Sequence, residues 1–140
     1  MSAFVALCTG TILLLAAWLT PSPLGHATHL QLGLGNCSFL VATGYPCPMC
    51  GMTTTFALLA HLHPIQAFIN QPFGVVLFSM TVGSFAISTA EAIQPVGRWG
   101  RVLDRLAPYE GRLAALFIFA MGLGWTYKIA MMRGIFAASG

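Results

Sequence analysis

The sequence predicts an all-α integral membrane protein with three transmembrane helices and one short re-entrant or interfacial helix. The chain has 140 residues, of which 57% are hydrophobic and only 6% are charged, whereas a soluble domain carries about 25% charged residues. Residues 1–90 contain no Asp, Glu, Lys or Arg, and every charge lies between Glu91 and Arg133. This composition argues against a soluble protein, and we expect residues 1–140 to form a single membrane domain.

Three apolar segments have the length of about 17 to 25 residues that a membrane-spanning helix needs. The first lacks a preceding basic segment, so we expect a retained helix rather than a cleaved signal peptide. The second opens at Pro72, a position that the first helical turn tolerates, and ends before Pro95. The predicted spans are residues 3–20, 72–93 and 113–132.

The third predicted span ends in polar and aromatic residues. Trp125, Tyr127 and Lys128 lie close to its C-terminal end. Aromatic rings and the long side chains of lysines favour the membrane interface, so we expect these three side chains to mark the interface. Glu91, near the end of the second span, is expected to be an end-of-helix residue at the opposite interface.

A fourth apolar segment, "MTTTFALLAHL" at residues 52–62, is too short to cross a bilayer. Segments of this length are typically re-entrant, interfacial or buried helices, and Pro64 disfavours helical geometry at the residue before it. The preceding 21–51 segment, called here the cysteine loop, has no strong helical or strand pattern. We expect partial order there, at the outer face of the membrane.

The distribution of basic residues predicts the topology. The connection between the second and third spans carries four arginines, whereas the C-terminal end carries Lys128 and Arg133. This asymmetry predicts a cytoplasmic N-terminus and a periplasmic or external cysteine loop in a bacterial inner membrane. We expect the lipid bilayer and other membrane protein subunits as partners, and no nucleic acid, because no basic run is interleaved with aromatic residues. The four arginines are Arg98, Arg101, Arg105 and Arg112.

The stretch "GYPCPMCGMTTT" contains two cysteines, Cys47 and Cys50, and a third, Cys37, precedes them in the same loop. A first interpretation is structural: a Cys47–Cys50 or Cys37–Cys47 disulfide would fix how the short helix enters the membrane. Cys8, by contrast, lies inside the first span as a small buried apolar residue. Turn and cap roles accompany the structural interpretation at Pro46, Pro48, Gly51 and Thr53.

A second interpretation is thiol–disulfide chemistry at Cys47 and Cys50. A helix N-terminus lowers the pKa of a nearby thiol, and both cysteines precede the predicted short helix. The sequence offers neither the strand–helix unit of a thioredoxin-like site nor a clear second cysteine pair.

A third interpretation is a soft-metal site, with zinc bound by Cys37, Cys47, Cys50 and His61, since three cysteines and one histidine form a familiar tetrahedral set. A covalent haem requires C-x-x-C-H, and Gly51 occupies the histidine position. Apart from the zinc alternative, we expect no cofactor.

The segment "TGYPCPMCGMTTTFALLAHLHPIQAFINQPFG" resembles the bacterial membrane family called domain of unknown function 2752, through its threonine-glycine, C-P-x-C-G-x-T and Gln-Pro elements. Thr54 stands where the family usually has arginine, and Asn70-Gln71-Pro72 replaces its Asn-Pro. The resemblance implies a membrane location and a role for the CPxCG element, but it does not identify a reaction. We therefore expect a non-catalytic accessory or structural subunit, with the enzyme and zinc alternatives open.

Overall fold

The computed structural model describes residues 2–133, and over this range the chain is helical with no strand. The predicted all-α class is therefore confirmed. Two 3-10 turns, Thr28–Leu32 and Ala107–Tyr109, supplement the α-helices. The helices are α1 Ser2–Trp18, α2 Ser38–Thr43, α3 Met52–Ala60, α4 Pro64–Asn70, α5 Pro72–Ile93, α6 Arg98–Leu106 and α7 Glu110–Met132.

Two helical segments of the described range, not the predicted three, are long and apolar enough to cross a membrane: Pro72–Ile93 and the continuous run Arg98–Met132. The first predicted span is a shorter apolar helix of 17 residues, or about 26 Å at 1.5 Å per residue. It ends at Trp18 because the backbone turns towards Pro21, and the Leu19 carbonyl accepts a hydrogen bond from His61 Nε2 at 3.1 Å.

The apolar faces of the two long helices are largely exposed. Only 17% and 11% of their most apolar windows are buried inside the structure, whereas the core helix of a soluble protein is mostly buried. Exposed apolar surface on this scale is consistent with a membrane protein, since lipid tails can cover it.

Close helix contacts are made at glycines. Helix α1 packs along α5, where a Cβ on Gly10 would lie 3.0 Å from the ring of Phe85. Helices α3 and α4 form a short hairpin against the start of α5, and Gly74 lies under Thr55. Small residues allow this approach between membrane helices.

Helix α7 meets α5 through Gly124, where an added Cβ would lie 2.9 Å from the Cβ of Phe73. We expect Gly124→Ala to lower the free energy of unfolding by about 1 to 3 kcal/mol, because the contact is already close-packed. Gly122 on the same helix has open space around it, so Gly122→Ala should be neutral or slightly stabilising. Denaturant titrations of both variants in detergent measure the difference, and equal stabilities would contradict this packing.

The turn between α5 and α6 is closed by Glu91 and Arg98. The Glu91 carboxylate accepts the backbone N–H groups of Gly97 and Arg98 at 2.8 and 2.7 Å. In return, Arg98 Nη1 donates to the carbonyls of Ala90 and Gln94. Glu91 thus caps α6 and Arg98 caps α5, so Glu91 is an end-of-helix residue, as predicted.

The cysteine loop is partly ordered, as expected, by one 3-10 turn and α2. The predicted short helix 52–62 ends two residues early, at Ala60, because Leu62 adopts a positive φ of 61°. A second short helix, α4, follows directly from Pro64. The hairpin α3–α4 and the cysteine loop lie at the start of α5, and the Glu91 turn lies at the other end of this 22-residue helix.

Candidate functional site: a buried polar cluster at the CPMCG turn

The CPMCG segment forms a tight turn that begins α3. The N–H of Cys50 donates to the Cys47 carbonyl at 2.9 Å, and the N–H of Met52 donates to Met49 at 3.0 Å. Gly51 is the N-cap residue with φ of 86°, a left-handed conformation that favours glycine. A Cβ at Gly51 would lie 2.7 Å from the Gly25 carbonyl oxygen, so the turn role predicted for Gly51 has a steric basis.

Thr53 does not cap α3, contrary to the prediction, because Gly51 occupies the cap position and α3 has no side-chain cap bond. The hydroxyls of the next two threonines are used differently. Thr55 Oγ1 donates back to the Gly51 carbonyl at 3.0 Å. Thr54 is fully buried, and its hydroxyl hydrogen-bonds to that of Thr28 at 2.7 Å, which ties α3 to the cysteine loop.

Three carbonyl oxygens of the turn accept side-chain hydrogen bonds from other parts of the chain. Trp125 Nε1 on α7 donates to the Pro46 carbonyl at 2.7 Å. Gln71 Nε2 donates to Pro48 at 3.2 Å. The third acceptor, the Gly51 carbonyl, receives a bond from Asn70 Nδ2 at 3.2 Å. The turn is thereby held from two sides, since α7 and the α4–α5 junction both contribute.

Lys128 on α7 is buried, with 3% of its surface exposed. Its Nζ donates to Asn70 Oδ1 at 2.8 Å and to the Gly25 carbonyl at 2.9 Å. The prediction that the Lys128 side chain snorkels outward is therefore wrong, whereas its depth at the membrane interface stays a prediction. Its side chain turns inward because buried oxygen acceptors surround the ammonium group.

The aromatic neighbours of Lys128 also bond inward. Besides the Trp125 bond to Pro46, the Tyr127 hydroxyl donates to the Ile69 carbonyl at 2.6 Å. At the end of the described chain, the Arg133 guanidinium lies 4.4 Å from the ring centroid of Tyr45. The last two turns of α7 thus cover the CPMCG turn.

Asn70 is the centre of this cluster. Its Nδ2 donates to Thr55 Oγ1 at 2.9 Å as well as to Gly51, while its Oδ1 accepts from Lys128. A single buried amide therefore joins the end of α4, the start of α3 and the end of α7, and each of its contacts replaces a hydrogen bond to water.

All four cysteines of the described range are free thiols, and Cys8 is exposed, not buried as predicted. Cys37, Cys47 and Cys50 lie around one cavity. The thiols of Cys37 and Cys47 lie close enough for each to affect the pKa of the other. Cys50 is buried, near enough to Lys128 for the two groups to interact. A Cys37–Cys47 disulfide stays a prediction.

The pKa values of the two CxxC thiols are not lowered by the helix dipole, contrary to the sequence-based expectation. Burial raises the pKa of Cys50, and the negative charge of Cys47 raises it further. Burial likewise raises the pKa of Cys47, and its hydrogen bond with Cys37 adds to the effect. By contrast, a hydrogen bond from the Leu40 backbone lowers the pKa of Cys37.

These directions predict the order of alkylation. At neutral pH we expect iodoacetamide to modify Cys37 before Cys47 and Cys50, because the thiolate is the reactive form and Cys37 has the lowered pKa. Raising the pH should speed the alkylation of all three cysteines. The increase for Cys47 and Cys50 should come at a higher pH than the increase for Cys37. Peptide mass spectrometry after timed quenching measures the order. Denatured protein is the control, and the same order there would contradict the structural cause.

The predicted zinc ligands are not assembled into one site. Cys37, Cys47 and Cys50 line a cavity of about 340 Å³, but His61 lies at the far end of α3 and bonds to Leu19. Over residues 2–133 no group of three or more Cys, His, Asp or Glu side chains is arranged to hold a metal ion. The structure therefore offers the zinc hypothesis no ligand set.

The sequence interpretation missed the cluster formed by Asn70, Gln71 and Lys128. Lysine inside a membrane span is a signal of a functional site, and it was available at Lys128. In the sequence, the Asn-Gln-Pro element stands out only through the family resemblance. Nothing local to Thr28 or Gly25 indicates that they belong to the site, since they reach it through the fold.

Comparison with protein families finds that residues 37–84 match the model of the family described as "Protein of unknown function (DUF2752)". The matched range runs from Cys37 through the CPMCG turn, the α3–α4 hairpin and the first half of α5. It includes Asn70 and Gln71 but not Lys128. No curated protein and no solved structure matches the chain. The match confirms the predicted resemblance to this family over residues 37–84.

Proposed function

We propose that the chain is a small integral protein of a bacterial inner membrane, a non-catalytic accessory or structural subunit of a larger complex, in which the CPMCG turn fixes helix α3. One observation carries this proposal: the carbonyls of Pro46, Pro48 and Gly51 each accept a side-chain bond from another element. A turn held by these three bonds fixes the position at which helix α3 begins. In addition, the raised pKa values of Cys47 and Cys50 favour unreactive thiols.

The proposed topology has a cytoplasmic N-terminus and a periplasmic cysteine loop. Its support is that the arginine-bearing helix α6 follows one end of α5, whereas the cysteine loop lies at the other. The loop end also contains Lys128, but the bonds of this residue to Gly25 and Asn70 make it part of the buried cluster.

Membership in a complex is supported by the first ten residues of α7, 110–119, which are all exposed. Affinity purification in a mild detergent tests it, and we expect a stoichiometric membrane partner. The variant Leu116→Ala/Phe119→Ala removes exposed apolar contacts of α7 and should reduce co-purification. The matched control is Phe4→Ala/Leu7→Ala on α1, whose side chains are similarly exposed. A monodisperse monomer without any partner would rule out the proposal.

A second candidate function, thiol–disulfide exchange, is favoured by the closeness of the Cys37 and Cys47 thiols, each of which affects the pKa of the other. With oxidised glutathione as oxidant, the Cys37 thiolate would attack a glutathione sulfur and release one glutathione. The Cys47 thiolate would then attack Cys37 in the mixed disulfide and release the second. Two protons leave the thiols, and two electrons reduce the oxidant.

Cys47→Ser tests this second candidate, because it removes the resolving thiol and should trap mixed disulfides of Cys37 with protein substrates. Cys8→Ser is the matched control outside the loop. If Cys47→Ser traps no protein in intact cells, the exchange function is wrong, while a purely structural disulfide could still form in the unmodified chain.

A further inference from the structure

Lys128 carries a buried positive charge, and no acidic side chain of the described residues pairs with it. The chain has three acidic residues, and all lie at or beyond Glu91. Glu91 is 19 residues along α5 from Pro72, and Glu110 is 18 residues before Lys128 on α7, so each lies roughly 27 Å from the ammonium end of the bundle. Asp104 precedes Glu110 on the same continuous helical run, Arg98–Met132. Within residues 2–133 the ion pairs include Arg98–Glu91 and none at Lys128.

The neighbouring thiol does not supply the missing negative charge. Burial raises the pKa of Cys50, so its neutral form is favoured at physiological pH. The acceptors of Lys128 are neutral oxygens of Gly25 and Asn70, two at 2.8 and 2.9 Å and a third, the Asn70 carbonyl, at 3.4 Å. The third bond is longer than the usual 2.7–3.2 Å range, so one ammonium proton is weakly held.

Lys128 also lines a cavity of about 860 Å³ between the start of the cysteine loop, the α3–α4 hairpin and the end of α7. This volume falls in the range of about 300 to 1,000 Å³ typical of ligand sites. Its wall combines apolar side chains with a few polar ones. Representative lining residues are Leu24, His26, Gln66, Ile69, Lys128 and Met131.

We propose that this cavity binds an anionic amphiphile, with a phosphate or carboxylate group at Lys128 and an acyl chain along the apolar wall. The anion would accept a hydrogen bond from the weakly bonded Nζ–H group, and its charge would balance that of the ammonium. Charged groups within membrane helices typically pair with each other or line a functional cavity, and among the described residues that line this cavity Lys128 is the only Lys, Arg, Asp or Glu. The inference is independent of the proposed accessory role.

The test uses quenching of Trp125, which lies three residues before Lys128 on the same side of α7. Trp18→Phe and Trp99→Phe leave it as the only tryptophan in the full chain. The protein, in an uncharged detergent, is titrated with phosphatidic acid carrying brominated acyl chains, and with diacylglycerol carrying the same chains. We expect saturable quenching by the acid at least about tenfold tighter than by the diacylglycerol, as a charge-assisted hydrogen bond implies.

Lys128→Met should abolish this preference, whereas Arg133→Met, the matched cation at the same end, should retain it. Gln66→Phe should also weaken binding by narrowing the cavity, and it keeps the test valid if Lys128→Met does not fold, as judged by circular dichroism. Equal quenching by both lipids, or unchanged affinity in Lys128→Met and Gln66→Phe, would overturn the site. Displacement of phosphatidic acid by inorganic phosphate alone would overturn the role of the acyl chain.

Discussion

Replacing Asn70 with alanine is expected to lower the free energy of unfolding by about 2 to 4 kcal/mol. Three hydrogen bonds disappear together: those to the Gly51 carbonyl, to Thr55 and from Lys128. A buried charged donor that loses an acceptor costs more than a neutral one, and Lys128 is buried at 3% exposure. Unfolding in detergent, followed by far-ultraviolet circular dichroism against denaturant, measures the change.

The chain provides a matched control for this experiment in its other asparagine, Asn36. This residue lies exposed in the cysteine loop, so Asn36→Ala should change stability by less than about 0.5 kcal/mol. If the two alanine variants unfold alike, Asn70 is not the centre of the cluster described above.

Gly51→Ala should destabilise the protein by about 3 kcal/mol. Part of this loss is the left-handed φ of 86°, which costs a residue with a Cβ about 1 to 2 kcal/mol. The rest comes from overlap, because the new methyl group would lie 2.7 Å from the Gly25 carbonyl oxygen and 2.9 Å from Lys128 Nζ. The flexible lysine can move, but the backbone carbonyl is held by the loop.

Gly44 separates these two causes. It also has a left-handed φ, 72°, yet open space surrounds it. Gly44→Ala should therefore show only the conformational cost of about 1 to 2 kcal/mol, and thermal or denaturant unfolding of the two variants isolates the steric contribution of Gly51. A Gly51→Ala protein no less stable than Gly44→Ala would show that the close approach to Gly25 is not maintained.

The long helices could be predicted well where prolines delimit apolar runs. Helix α5 begins at Pro72 and ends at Ile93, as the sequence predicted. Helix α1 was predicted to reach residue 20 but ends at Trp18, since the bond from His61 to Leu19 is a tertiary contact with no local signal. Helix α4 was missed because its seven residues are too few for a clear period.

The site was predictable only in its local part. The turn at Gly51 follows from the proline- and glycine-rich CPMCG segment itself. The placement of Lys128 does not, because proximity to the end of a span suggests the interface, whereas its burial depends on Gly25 and Asn70, 103 and 58 residues away. The Cys37–Cys47 contact was one of two pairings that the spacing allowed.

The bonds from α7 to the CPMCG turn also constrain biogenesis. Trp125 reaches back 79 residues to Pro46, and Lys128 reaches back 103 residues to Gly25. During synthesis, the first two apolar helices and the whole cysteine loop exist before α7 leaves the ribosome. The loop can therefore acquire its final shape only after the last helix has been made, and a chain truncated before Trp125 would lack the bonds to Pro46 and Gly25.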